Sequence, residues 1–232
     1  MSKPAIDVII PAFNEENSID KVLADIPKDL VREVIVCNNA STDRTAEIAL
    51  QGGATLVEQP QKGYGNACLK GLEYVFNKGK AHHPDIVVFI DADYSDYPEE
   101  MRDLVKPIVE DGLDLVIGSR ALGNMERGAM TPQQIFGNWL ATSLIRFFYR
   151  YEFTDLGPFR AVRYDKLLAM EMQDKTYGWT VEMQVKAAKM KLKCTEIAVN
   201  YRKRIGFSKV SGTVKGTILA GHKILWTIFK LL

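Results

Sequence analysis

Apolar residues in the first half of the chain fall in short, nearly unbroken runs separated by longer stretches of mixed character. Ile6–Pro11 (IDVIIP), Glu33–Cys37 (EVIVC), Ala54–Glu58 (ATLVE), Asp85–Asp91 (DIVVFID) and Leu113–Ser119 (LDLVIGS) have the length and Val/Ile content of strands buried on both faces. Helical patterns lie between them, near Asn17–Asp25, Asp43–Gln51, Gly65–Asn77 and Pro98–Glu110. This alternation predicts an α/β fold with a Rossmann-like, mostly parallel sheet flanked by helices. The second half reads differently. Thr131–Tyr151 predicts a long helix rich in Phe and Trp, and GPFRAVR a short strand or turn. Helices near Tyr164–Met172 and Thr180–Met190, a strand in TEIAVNY and a final helix over Thr213–Leu232 complete the pattern.

In parallel sheets, ligands bind outside the carboxyl ends of the strands. The polar loops of this chain collect there: PAFNEEN after the first strand, NNASTDRT after the second, DADYSDYP after the fourth and GSRALG after the fifth. With 47% hydrophobic and 25% charged residues among 232, the composition is that of one folded domain with a real core. Three cysteines (Cys37, Cys68, Cys194) and three histidines suit neither a disulfide framework nor a zinc cluster, and fit a reducing compartment. The opening MSKPAIDVII leaves no room for a signal peptide before the first strand, and no apolar run reaches the ~18 residues of a membrane span. The net charge of +1 hides an asymmetry. From Ile197 onward there is no Asp or Glu, while Arg202, Lys203, Arg204, Lys209, Lys215, Lys223 and Lys230 are present. Such a basic arm suits phosphates or an anionic membrane surface.

Three aspartates close the fourth strand. Asp91 and Asp93 stand two apart, so in extended chain they point to one side and suit Mg²⁺ or Mn²⁺, which completes its shell with phosphate oxygens. Asp96, before Tyr97 and Pro98, fits the cap of the next helix. Asn14 with Glu15 and Glu16 reads equally as a helix start, as does Ser41 or Thr42 in the second loop. Lys62, ahead of Gly63 and Gly65, either reaches a phosphate or marks a flexible turn. No GxxxxGK[ST] and no GxGxxG after the first strand is present, against a P-loop NTPase or an NAD oxidoreductase. No nucleic-acid reader motif accompanies the basic arm.

Taken in order, PAFNEE, NNASTDRT, KGYGNA, DADYSDYP, GSR and GFSK resemble family-two inverting glycosyltransferases of the A-type fold. The branch they resemble is that of dolichol-phosphate mannose synthase and polyprenyl-phosphate sugar transferases, over Ile6 to about Thr213. The resemblance implies a nucleoside pocket lined by Pro11, Ala12, Asn14 and Glu15, with Asn38 and Lys62 on the donor. It implies that Asp91 and Asp93 meet the metal and the diphosphate, with Ala92 against the nucleotide and Ser95 as a further metal-side ligand. Arg120 would approach the sugar or diphosphate, while Lys203 and Lys209, with Arg202, Arg204 and Ser208, would close over the phosphates. The family usually carries an aspartate at the first or second position of the loop after strand two. Here Asn38 and Asn39 stand there, leaving UDP against GDP open. Lys203 stands where these synthases more often carry arginine.

An inverting transfer also needs a nucleophile. A lipid phosphate needs little base help, whereas a sugar hydroxyl needs a base. Glu182 and Asp155 are the acidic residues open to that role; the first could equally be a solvated helix residue, the second a brace for its turn. On the final helix, Lys215, His222, Lys223 and Lys230 share a wedge of roughly 100°, the rest being largely apolar. That pattern suits a helix in a membrane interface or one docked on the core. The expectation is therefore a catalytic domain over 1–212 with an amphipathic helix at 213–232. It would be a peripheral enzyme at the cytoplasmic leaflet, moving a hexose from a nucleotide diphosphate sugar to a polyprenyl phosphate with Mg²⁺ or Mn²⁺. The rivals are transfer to a saccharide hydroxyl and an inactive nucleotide-binding protein of the membrane surface.

Overall fold

The computed structural model describes residues 3–206 and 214–232. Its centre is a seven-stranded sheet in the order β3-β2-β1-β4-β6-β5-β7. The strands are β1 (Ile6–Ala12), β2 (Glu33–Asn38), β3 (Thr55–Glu58), β4 (Ile86–Phe89), β5 (Leu115–Ser119), β6 (Arg160–Arg163) and β7 (Cys194–Ala198). All neighbours run parallel except β6, which lies antiparallel between β4 and β5. GPFRAVR is thus a central strand, and the TEIAVNY strand starts one residue earlier than expected and ends at Ala198. The helices are α1 (Ile19–Asp25), α2 (Thr45–Gln51), α3 (Tyr64–Asn77), α4 (Met101–Asp111), α5 (Pro132–Tyr149), α6 (Tyr164–Ala169), α7 (Trp179–Lys189) and α8 (Val214–Lys230).

The period-two alternation of each strand feeds two apolar layers. Ile9, Val87 and Phe89 face one layer with Ala67 and Cys68 of α3, Ala141 and Ile145 of α5, Trp179 of α7 and Ile228 of α8. Val8, Ile10, Val88 and Ile90 face the other with Ile19 and Val22 of α1, Ala49 of α2 and Leu104 of α4. Both faces being covered explains why these strands read as continuous hydrophobic runs. α5 begins at the expected Thr131, held by a capping box. Thr131 accepts from the Gln134 N–H, the Gln134 side chain accepts from the Thr131 N–H, and Pro132 follows the cap.

α8 packs on α5 and α7. The Tyr149 hydroxyl donates to the Ile228 carbonyl at 2.6 Å, and the Phe148 and Phe229 rings meet edge to face. Lys223, assigned by periodicity to the cationic wedge, turns inward to Asp174 at 2.8 Å. The exposed positions of α8 include Ile218, Trp226 and Phe229 along with His222 and Lys230 of the wedge, and α5 exposes Phe136 and Trp139. Among the described residues, no helix is long and apolar enough to cross a membrane.

Candidate active site

The carboxyl ends of β1, β2, β4 and β5 meet the start of α3 around a cavity of about 540 Å³. Three non-glycine residues in these loops take left-handed backbone: Asn14 (φ 54°), Ala40 (φ 58°) and Tyr94 (φ 62°). Side chains rather than glycines hold these turns. Asn14 N–H donates to Ser41 Oγ, Thr42 N–H donates to Asn14 Oδ1, and Ser95 N–H donates to Asp93 Oδ1. The second loop is shaped by Asp43, which accepts from Thr45 and Glu16 N–H groups, rather than capped by Ser41 or Thr42.

Pro11, Ala12, Glu15, Lys62, Asp91, Ala92, Asp93, Arg120 and Arg204 all line this cavity, as the sequence led us to expect. Glu15 is buried, accepts from Ser18 Oγ and pairs with Arg204 at 2.9 Å. Asp91 accepts from the Tyr64 hydroxyl at 3.0 Å. Burial and, next, the Asp93 charge push the Asp91 carboxyl up to about 7, against the pull of Tyr64, Arg204 and Arg120. Two crowded, hard carboxylates of this kind fit an oxygen-seeking divalent cation. Among the described residues no three metal-capable His, Cys, Asp or Glu side chains form a closed cage, which suits an ion that draws its other ligands from phosphate.

Several expected roles change. Ser95 is fully buried, donates from Oγ to Asp93 Oδ1 at 2.5 Å and does not line the cavity, so it aims the aspartate instead of ligating a metal. Asp96 caps nothing. Both its oxygens are buried without a hydrogen-bond partner among the described residues, and burial, with Asp91 nearby, pushes its carboxyl well above the carboxylate range. Asn14 laces the first loop to the second, outside the cavity wall. Asn38 is likewise turned away, donating to Glu58, and Asn39 reaches the cavity in its place while accepting from Gly63 N–H.

Arg202 is no phosphate ligand here: it stacks on Tyr94 and Tyr97 and donates to the carbonyls of Tyr94 and Asp96. Lys203 lies beside Gly128, with its backbone N–H on Glu126, and misses the cavity. Ser208 and Lys209 lie outside the described residues. The glycines after Lys62 serve packing. A Cβ on Gly65 would sit 1.9 Å from the Asp174 carbonyl, and Gly65 and Asn66 N–H groups donate to the carbonyls of Thr176 and Lys175.

Neither candidate base is free. Asp155 is almost wholly buried, and its carboxylate takes the Arg120 backbone N–H, Nε and Nη2 at 2.8, 2.7 and 2.7 Å. Its work is to hold Arg120. The Glu182 carboxylate accepts from Gln173 and Asp174 N–H groups and pairs with Lys186 at 2.7 Å, outside the cavity wall. Glu182→Gln is therefore expected to lower unfolding stability by about 2–3 kcal/mol while the folded enzyme keeps kcat within a few-fold. Urea melts beside kcat at low temperature check this, and a kcat collapse in a stable protein would return Glu182 to the chemistry.

Sequence reasoning missed Phe13, whose ring lies 4.7 Å under the Lys62 ammonium, and Tyr64, the hydroxyl on Asp91. It also missed Arg160, fully buried on β6, which donates to the carbonyls of Leu156, Gly157 and Thr180. Phe13 and Tyr64 each left a signal, as the aromatics inside PAFNEE and KGYGNA.

The family model for glycosyl transferase family 2 matches residues 7–169. The chain belongs to that family. It is similar to an uncharacterized glycosyltransferase of Mycobacterium tuberculosis, at 35% identity over 95% of this chain and 96% of the relative. It is also similar to the dolichyl-phosphate hexose transferase of Haloferax volcanii (30%, 91% and 89% covered). The undecaprenyl-phosphate mannosyltransferase of Micrococcus luteus matches at 30%, with 90% and 88% covered. Among solved structures, glucosyl-3-phosphoglycerate synthase of Mycobacterium tuberculosis superposes with a TM-score of 0.76 at 23% identity, covering 98% of this chain and 79% of that one. That structure holds Mn²⁺, UDP-glucose and phosphoglyceric acid. The likeness establishes the A-type glycosyltransferase fold. The protein is thus a family-2 glycosyltransferase, related to polyprenyl-phosphate hexosyltransferases.

Proposed function

We propose that this enzyme moves a hexose from a UDP- or GDP-linked donor to a polyprenyl phosphate, with inversion and with Mg²⁺ or Mn²⁺. The observation that carries the acceptor is an apolar groove between α5 and α8, lined by Pro132, Phe136, Leu140 and Leu225, among others. It shares Gln133, Gly137, Gly221 and Ile224 with the catalytic cavity. A side chain begun at Gly137 or Gly221 would meet nothing within 4 Å, so the two glycines leave a passage from the reacting centre to the groove. A small, highly charged acceptor such as phosphoglycerate has no use for such a slot, whereas an isoprenoid tail does.

The chemistry supports the same acceptor. A phosphate oxygen attacks the anomeric carbon, the bond to the diphosphate breaks opposite it, and the diphosphate leaves with the electron pair. A phosphate nucleophile needs no proton removed, in keeping with carboxylates of Asp155 and Glu182 that are already engaged. When bound, the divalent ion neutralises charge developing on the leaving diphosphate. Asp91 and Asp93 would hold it, and Arg120, fixed by Asp155, would add a second positive charge. Exposed Trp139, Ile218 and Trp226 suit work at a membrane surface, on the cytoplasmic side where nucleotide sugars are available.

The test is transfer of labelled hexose from UDP- and GDP-sugars to polyprenyl phosphate, 3-phosphoglycerate or a saccharide, in wild type and Gly137→Leu. Leucine favours the helix and fills the passage. We expect lipid transfer alone in the wild type, reduced at least about tenfold in the variant, with thermal stabilisation by nucleotide and metal retained. Transfer only to phosphoglycerate or saccharide, or a variant equal to wild type on lipid, would refute the reading.

A further inference from the structure

Residues 201–206 lie across the DADYSDY loop as an added strip of backbone. Arg202 N–H donates to the Ser95 carbonyl and Ile205 N–H to the Asp93 carbonyl, each at 3.0 Å. Clamped at both points, the strip aims Arg204 into the cavity, where its guanidinium reaches Glu15 Oε1 at 2.9 Å and Asp93 Oδ2 at 3.2 Å. Asp93 Oδ1 is already taken by the Ser95 N–H and hydroxyl. The oxygen that Asp93 has left for a cation is therefore Oδ2, the one Arg204 engages.

A divalent ion sits about 2.1 Å from a ligating oxygen. A guanidinium nitrogen held 3.2 Å from the same oxygen would then face the ion as a like charge inside a buried site. Both could share the two lone pairs of Oδ2 only against that repulsion, which weakens the hold of each. We propose that Arg204 is a built-in counter-cation of the Glu15–Asp93 pair, which the divalent ion displaces from Asp93 Oδ2 and which the donor diphosphate then takes over. Metal and nucleotide consequently bind as a mutually dependent pair. The ion alone has to evict Arg204 with no new anion to receive it, whereas the diphosphate supplies that anion within reach of the same strip. The inference deepens the donor-site reading and rests on it.

Mn²⁺ binding followed by electron paramagnetic resonance tests this, with and without UDP or GDP, in wild type, Arg204→Met, Arg204→Lys and Asp93→Asn. We expect Arg204→Met to bind Mn²⁺ alone about tenfold more tightly than wild type, within the usual range for coupled sites. Nucleotide should tighten Mn²⁺ strongly in wild type and Arg204→Lys, much less in Arg204→Met, and Asp93→Asn should lose the site. By reciprocity, Mn²⁺ should raise nucleotide affinity less in Arg204→Met than in wild type. Thermal melts of each variant establish that it is folded. Arg204→Met binding Mn²⁺ no better than wild type, with nucleotide coupling intact, overturns the counter-cation and leaves the donor site standing. Neither nucleotide tightening Mn²⁺ in wild type overturns both.

Discussion

Asp91→Asn is expected to yield an inactive protein that is more stable than wild type at about pH 8. The Asp91 carboxyl is pushed up to about 7 by burial and by Asp93, whereas in the unfolded chain it ionises near the ordinary aspartate value of 3.8. An acid whose folded pKa is raised makes the unfolded state give up its proton first, so stability falls as pH rises from about 4 to 7 and stays low above. Three units of difference correspond to about 4 kcal/mol at most, and a gain on the order of 2–4 kcal/mol is expected for the neutral amide. Asparagine keeps an acceptor for the Tyr64 hydroxyl. Urea denaturation at several pH values checks the idea: the advantage should vanish near pH ~4 and reach a plateau above pH ~7. A difference that does not vary with pH, or a destabilised variant at alkaline pH, would sink it. The strain explains itself functionally, since a repulsive carboxylate pair is what a divalent cation relieves.

Asp155→Asn carries the opposite sign. Asp155 and Arg120 are a buried bidentate pair, with side-chain exposures of 1% and 11%. Removing one charge strands the other, a change that costs about 3–5 kcal/mol where buried pairs are broken. Arg120 also stacks over Tyr201, and without Asp155 it loses the anchor that sets its direction. The expected result is a large loss of stability together with a fall in kcat, with little change in the pH–rate profile. If Asp155 were instead the general base, the acidic limb of that profile would disappear while stability held. A paired Arg120→Leu and Asp155→Leu change should regain stability but not activity, because only the isolated charge is costly to bury.

Much of the molecule could be read from residue order. Runs such as DVII and IVVF lack alternation because both faces of those strands are covered, and both are wholly buried, whereas the ATLVE run, expected to be buried alike, forms an edge strand that is only half-buried. The carboxylate-lined cavity was legible because its residues follow strand ends directly. Asp91, Asp93 and Glu15 are placed by their own short loops, and local chain direction suffices to bring them to one edge. The start of α5 at Thr131 was expected from the helical span alone, and the capping box that sets it is a finding of the structure.

What lay outside the reach of local pattern were partnerships across long separations. Asp155 looked like a base because acidity is visible in a sequence, while the Arg120 that occupies it comes from the end of β5, 35 residues earlier. Glu182 is occupied by Lys186 of its own helix and by the turn before it, closer at hand but equally invisible to pattern. Arg202 and Arg204 are two residues apart with the same chemistry, yet one is stacked on tyrosines and the other faces the carboxylates. Their difference comes from the strip that residues 201–206 lay over the DADYSDY loop. The apolar groove beside Gly137 and Gly221 exists only because α8 docks against α5. By itself, then, the sequence determined the parallel strands, the carboxylate edge and the family, all written in short-range order, but not the central antiparallel β6. The tertiary structure alone decided which charges are spent on one another and where the apolar groove opens, because buried charges are ruled by whichever partner the fold brings to them.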